Sequence, residues 1–157
     1  MKKTRTVRRR NRRHNKSHRH KSHRLKPCNK SSNRKSVIVE NFIEMLNTIK
    51  LYHWNTHSYA QHKATDELHE KLSGHVDKFV EILLGKDESR ISELNAKSNL
   101  NNFKHTASFK DQIYHYREYF IQMDKCLDPN RDTDLLNVRD EILGDLNQFL
   151  YLMTLRR

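Results

Sequence analysis

The chain has 157 residues and a formal net charge of +12, and hydrophobic side chains make up only 34% of it. This length accommodates one domain of ordinary size. No apolar run approaches the roughly 18 residues of a membrane-spanning helix, so the sequence predicts no membrane partner.

Charge divides the chain into two segments. Residues 1–35 hold 16 of the 31 Lys and Arg residues and no acidic residue, whereas the remainder has a formal charge of −4. A cationic segment with so few apolar side chains is predicted to be a disordered tail that binds the phosphates of a polyanion. DNA is the expected partner, with RNA as the alternative. The candidate contacts are Lys2, Lys3, Arg5, Arg8, Arg9, Arg10, Arg12, Arg13, Lys16, Arg19, Lys21 and Arg24.

Other interpretations of the tail stay open. Short basic clusters suffice for a nuclear localisation signal. The sequence Lys16-Ser17-His18-Arg19 returns as Lys21-Ser22-His23-Arg24, and a His-rich tract of this kind can bind Zn²⁺ or Ni²⁺ weakly. A solvated basic linker is the simplest alternative.

Residues 36–157 show the apolar spacing of helices. Apolar side chains recur every three or four residues over 37–52, which predicts a first helix, A, that ends between residues 55 and 57. Ser58 is a suitable N-cap for helix B, and Gly85 is a suitable residue to follow its end. Gly74, within helix B, indicates a bend or a close contact.

Two further helices are expected in the second half of the chain. Ser108 and Asp111 resemble a capping box that opens helix C, which continues to the turn Asp128-Pro129-Asn130. Helix D begins at Asp132 or Thr133, where the apolar spacing resumes.

The connections between the helices indicate the fold class. The polar segment 86–105 is predicted to be a long B–C crossover, with one helical turn near Ile91 and Leu94. Four helices with two short connections and one long crossover describe an all-α, ferritin-like four-helix bundle over 36–157. With only three Gly and two Pro in the chain, a sheet has little support.

Metal-capable side chains concentrate between residues 53 and 81. His62, Asp66, Asp77 and Glu81 fall within about 100° of one another around helix B, and His53 lies near the end of helix A. Imidazole and carboxylate ligands together suit iron in both oxidation states. Any one of these residues alone is more often a surface residue, and it is their combination that favours a metal site.

These residues resemble a known family. His53-Trp54 is similar to the His-Trp pair that ends the first helix of Dps proteins, which are ferritin-like, bind DNA and oxidise iron. His62, Asp66, Asp77 and Glu81 reproduce the H-x3-D-x10-D-x3-E spacing of that family, and the resemblance spans about residues 37 to 155. The nine-residue gap from His53 to His62 is shorter than in Dps proteins, which makes His57 the possible substitute for His53.

The resemblance implies a function. It predicts a ferroxidase that oxidises Fe(II) with O₂ or H₂O₂ at a di-iron or nascent di-iron site within a hollow homo-oligomeric shell. His53, His62 and Asp66 would come from one chain, and Asp77 and Glu81 from its neighbour. Two alternatives remain, namely an inactive ferritin-like protein that condenses DNA and a packaging or scaffold protein of a virion.

The expected location follows from the same features. Cys28 and Cys126 form no CxxC motif or paired framework, which suits a reducing compartment. A Dps-like protein is expected in the cytoplasm or the nucleoid. The length, tail and short A–B loop also resemble ferritin-like proteins of uncharacterised function predicted in large DNA viruses of eukaryotes, which would be expected in the virion interior, the host nucleus or the viral factory.

Overall fold

The chain folds as helices. The computed structural model describes residues 25–28, 33–91, 93–94, 100 and 102–155, and these residues contain no β-strand. The α-helices are α1 (Arg34–Asn55), α2 (Tyr59–Gly85), α3 (Thr106–Ile121) and α4 (Thr133–Leu152), and a 3-10 turn, Gln122–Lys125, follows α3. The prediction of an all-α protein is confirmed.

The first two helices form an antiparallel pair joined by a three-residue turn. Ser58 is the N-cap of α2, and its hydroxyl accepts a hydrogen bond from the backbone N–H of Gln61, as the sequence predicted. Gly85 is the last residue of α2 rather than the residue after it.

The other pairs of neighbouring helices are also antiparallel. The Nζ of Lys86, beside the end of α2, lies 3.0 Å from Asp134 at the start of α4, and Lys71, nearer the start of α2, donates to Gln148, nearer the end of α4. Arg139 of α4 donates to the carbonyl of Phe120 near the end of α3. The end of α2 and the start of α3 therefore lie at opposite ends of the molecule.

One apolar core joins the helices. The ring of Phe42 in α1 meets Phe79 of α2 edge-on at 5.2 Å between centroids and stacks on Phe120 of α3 at 5.5 Å. Nearer the other end, Tyr52 stacks on Phe109 of α3 at 3.7 Å. Full burial of such a side chain contributes about 2–3 kcal/mol relative to exposure. The apolar stripes that predicted the helices supply this core from α1, α2, α3 and α4.

Helix α3 begins earlier than predicted, and it ends at Ile121, before the 3-10 turn, rather than continuing to Asp128. Ser108 lies inside its first turn and His105 is the N-cap, so the capping box of Ser108 and Asp111 was wrong. Long-range contacts place the start, because the Thr106 hydroxyl lies in a hydrogen-bonded group with Gln61 and Tyr52. The described residues around Ile91 and Leu94 contain no helical turn.

The cysteines also differ from expectation. Cys28 and Cys126, separated by 98 positions in the sequence, form a disulfide with their Cα atoms 5.9 Å apart. Leu25 and Cys28 are buried against the helices, although the composition of residues 1–35 indicated too few apolar side chains to pack. The expectation of unpaired cysteines was wrong because pairing depends on distance in space rather than spacing along the chain.

Gly74 provides a test of packing in α2. A Cβ added there would meet nothing within 4 Å, so the close contact that the sequence indicated is absent from the described residues. Gly74→Ala should therefore raise the free energy of unfolding by about 1 kcal/mol, because Ala loses less backbone entropy in a helix. Urea denaturation measures this change, and Gly144→Ala in α4, which also has open space around it, should behave alike. Lower stability of Gly74→Ala alone would show that this face of α2 is covered.

Candidate functional site

Two histidines bind each other where α1 meets α2. The Nδ1 atom of His53 lies 3.0 Å from the carbonyl oxygen of His62, and Nδ1 of His62 lies 3.0 Å from the carbonyl oxygen of His53. The two rings stack with their centroids 3.9 Å apart and an interplanar angle of 23°. His53 is 6% exposed. The structure thus brings together the two histidines that the sequence selected.

The hydrogen bonds determine which nitrogen of each ring carries the proton. A carbonyl oxygen can only accept, so each Nδ1 must donate, and in a neutral imidazole the lone pair is then on Nε2. A histidine ligand held by an Nδ1–H···O=C bond is the usual arrangement at metal sites. The same bonds have a structural role, because the His53 carbonyl is one of the last four of α1, which lack partners within the helix.

Asp66 is the third member of the cluster. Its Oδ1 lies 3.7 Å from Nε2 of His53 and 3.3 Å from Nζ of Lys50. The hydrogen bond from Lys50, assisted by the nearby positive charges, lowers the pKa of this half-exposed carboxyl below its ordinary value. Asp66 therefore stays ionised at a lower pH than a free aspartate.

His69 lies one turn further along α2. Its partial burial, followed by the charge of Lys50, lowers its pKa, which keeps the imidazole neutral over more of the pH range. A neutral imidazole has a lone pair to offer a metal ion or a proton. Neither His69 nor Lys50 is among the site residues that the sequence selected. Lys50 lies three residues before His53 and four before Trp54, and residues at these spacings are neighbours on a helix surface. This spacing could have identified Lys50 as a neighbour of His53.

The remaining predicted ligands lie elsewhere. Asp77 is about 16 Å from Asp66 along α2, since a helix rises about 1.5 Å per residue. Asp77 and Glu81 are exposed and form no ion pair with a described residue. His57 is exposed in the turn between α1 and α2. In the part of the chain that the structure describes, no group of three or more His, Cys, Asp or Glu side chains has the geometry of a metal site.

A second histidine cluster joins α2 to α4. His75 lies 3.0 Å from Asp145 through Nε2 and 3.3 Å from Glu141 through Nδ1. Because its two nitrogens point to different carboxylates, the three side chains do not share one central position. Sequence spacing could not reveal this contact, since the partners are about 70 residues apart.

The nucleic-acid contacts expected in the tail, from Lys2 to Arg24, lie outside the described residues. The disorder expected of residues 1–35 lies outside them for residues 1–24 and 29–32, whereas residues 25–28 contain the buried Leu25 and Cys28, and α1 begins at Arg34. None of the described helices is both long enough and apolar enough to cross a membrane.

The fold and the site define a helical protein with a histidine and carboxylate cluster at the junction of its first two helices. Residues 53–153 match the model of a family described as "Family of unknown function (DUF5856)". The chain belongs to that family, and the match begins at His53 and excludes the tail and most of α1. No curated protein and no solved structure matches the chain.

The histidine pair should stabilise the junction of α1 and α2. His53→Ala removes one hydrogen bond to the carbonyl of His62, which still accepts from the Thr65 hydroxyl, and it also removes the stacked ring, so we expect the free energy of unfolding to fall by about 1–3 kcal/mol. His57→Ala, at an exposed position in the same turn, should change it by less than about 0.5 kcal/mol. Chemical denaturation of both variants measures the difference, and equal stabilities would contradict a structural role for the pair.

Proposed function

We propose that this protein is a Dps-like, ferritin-like four-helix bundle that binds DNA through its basic tail and oxidises Fe(II) at a site between two subunits. RNA is the alternative polyanion. The observation that carries the proposal is the His53 and His62 pair, in which each Nδ1 faces a backbone carbonyl and Nε2 of His53 lies 3.7 Å from the carboxylate of Asp66.

The helix arrangement supports this fold. Helices α1 and α2 are antiparallel, α3 and α4 are antiparallel, and α2 and α4 are antiparallel neighbours. With the end of α2 and the start of α3 at opposite ends of the molecule, the order is up, down, down, up. One long crossover in an antiparallel bundle is the connectivity of ferritin-like proteins.

The ligand positions support a site shared by two chains. His62 pairs with Glu81, and Asp66 with Asp77, about a common midpoint between residues 71 and 72. A two-fold axis through that midpoint would place Glu81 of one copy beside His62 of the other, and Asp77 beside Asp66. In an isologous dimer interface, residue i of one copy contacts residue j of the other, and residue j of the first contacts residue i of the second. Asp66 and Asp77 also face within about 20° of each other around α2, so one surface presents both.

The residue types suit the reaction. Neutral Nε2 atoms bind Fe(II), and carboxylates neutralise the additional charge of Fe(III). With peroxide as the oxidant, two Fe(II) ions each lose one electron, the O–O bond breaks, and two protons complete two water molecules. Iron is the substrate here, and the ferric product would be stored within a hollow shell of subunits. The tail would hold DNA near that shell.

A second candidate is a catalytically inactive ferritin-like protein that condenses DNA, or serves as a packaging or scaffold protein of a virion. The specific observation in its favour is that the Nδ1 hydrogen bonds of His53 and His62 join α1 to α2. This structural role is enough to explain why both histidines are present. The ammonium of Lys50 also satisfies Asp66 without any metal.

Aerobic Fe(II) oxidation by the full-length protein separates the candidates. The double variant Asp77→Asn, Glu81→Gln removes two ligands without shortening a side chain, and we expect the initial rate of ferric absorbance to fall at least tenfold. Asp111→Asn, Glu118→Gln makes the same change of charge on exposed positions of α3 and should retain the rate. DNA affinity should be equal in all three proteins. A wild-type rate no faster than buffer would leave the inactive candidate.

Lys50 should compete with metal ions for Asp66. Lys50→Gln removes the ammonium that lies 3.3 Å from Oδ1, so the affinity for Co(II), a stand-in for Fe(II), should rise several-fold. The pKa of Asp66 should return toward its ordinary value, and metal binding should therefore be lost at a higher pH than in the wild type. Calorimetric titration at several pH values checks both effects. Lys125→Gln, at an exposed position in the 3-10 turn, is the control, and a similar gain in that variant would contradict a local effect.

A further inference from the structure

We propose that the Cys28–Cys126 disulfide is a redox-operated latch that determines where the basic tail leaves the folded part of the protein. The latch holds residues 25–28, here called the tail anchor. The inference rests on the proposed function only in that the tail binds nucleic acid.

Within the described residues, the tail anchor is held by two hydrogen bonds, one ion pair and the burial of Leu25 and Cys28. The side chain of Asn41 in α1 makes two hydrogen bonds to the backbone of Lys26, accepting from its N–H at 3.2 Å and donating to its carbonyl at 2.9 Å. Lys26 also pairs with Glu40, and Leu25 is 6% exposed. The anchor is not helical and contains four residues, so it opens with far less disruption than a helix would. The disulfide adds a covalent link from this short segment to Cys126.

The two cysteines are held very differently. Cys126 is fully buried after the 3-10 turn, where its carbonyl accepts a hydrogen bond from Arg34 at 2.6 Å. Cys28, in contrast, lies in the short, non-helical tail anchor. When the bond is reduced, Cys126 stays in the core while Cys28 is free to leave.

Release changes the tail in two ways. Its root moves from Leu25 to the start of α1 at Arg34, which adds nine residues and about 30 Å of maximum reach. Lys26 is freed from Glu40 and joins the cations available to phosphate. The reduced protein should therefore reach nucleic acid further from its surface and release about one more counterion on binding.

A peroxide can form the Cys28–Cys126 disulfide, and a dithiol can reduce it. A peroxide forms the latch when its O–O bond breaks, the two sulfurs lose one electron each, and the two thiol protons end in two water molecules. A dithiol opens it, because one thiolate attacks Sγ of Cys28 and expels the Cys126 thiolate. The second thiolate then displaces Cys28, which leaves a disulfide in the reagent and two protein thiols.

Chymotrypsin gives a direct test on the full-length protein. Leu25 is the only Leu, Phe, Tyr or Trp in residues 1–36, so cleavage after it reports on the anchor alone. We expect cleavage at Leu25 to be at least tenfold faster in dithiothreitol than after peroxide treatment. The double variant Cys28→Ser, Cys126→Ser should be cleaved at the fast rate under both conditions, with circular dichroism reporting its helix content. Asn41→Ala should speed cleavage far less, because it keeps the disulfide.

Equal cleavage of reduced and oxidised wild-type protein, or two free thiols after peroxide treatment, would overturn the latch. The wild-type comparison stands even if the double variant does not fold. DNA binding measured against salt gives a second readout, and the reduced form should show a slope of log affinity against log salt steeper by about 0.9. Equal slopes would overturn the link between the latch and nucleic acid. No DNA binding in either form would instead contradict the proposed function, while the cleavage result would still decide the latch.

Discussion

The reciprocal hydrogen bonds between His53 and His62 are the constraint on which the geometry of the candidate site depends. Each imidazole donates to the backbone carbonyl of the other residue, so the end of α1 and the beginning of α2 are joined side by side across a turn of three residues. This junction directs the Nε2 edge of His53 toward Asp66 and places Lys50 beside the same carboxylate.

A structural and a metal-binding role for this pair use different nitrogens. The Nδ1 atoms stabilise the junction, and the Nε2 atoms keep their lone pairs, so neither role prevents the other. The described part of one chain does not complete a metal site. His62, Asp66, Asp77 and Glu81 are placed symmetrically along α2, each with its complement at the same distance from a shared midpoint, and the proposed function uses this symmetry to complete the site with a second chain.

The tail and the helical part are connected by more than the peptide chain. The disulfide joins the tail anchor to the segment between α3 and α4, at the end of the molecule where α1 begins. The histidine pair lies at the opposite end of α1, about 30 Å away for a helix of 22 residues. Binding of a polyanion and chemistry at the histidines would thus occupy opposite ends of one helix. This separation allows each to be altered by mutation without touching the other.

The sequence by itself determined the helices and their buried faces. Helical hydrogen bonds and side-chain faces repeat within four residues, so local sequence is enough to predict a helix. The apolar spacing predicted helices α1, α2 and α4, and local residue types predicted the N-cap at Ser58 and the start of α4. The start of α3 could not, because contacts of Thr106 with Gln61 and Tyr52 from distant parts of the chain place it. The Cys28–Cys126 bond and the contacts of His75 with α4 join residues about 70 to 100 positions apart. Only tertiary structure decided those pairings, since they depend on which helices pack together, and packing is a property of the whole core rather than of any local segment.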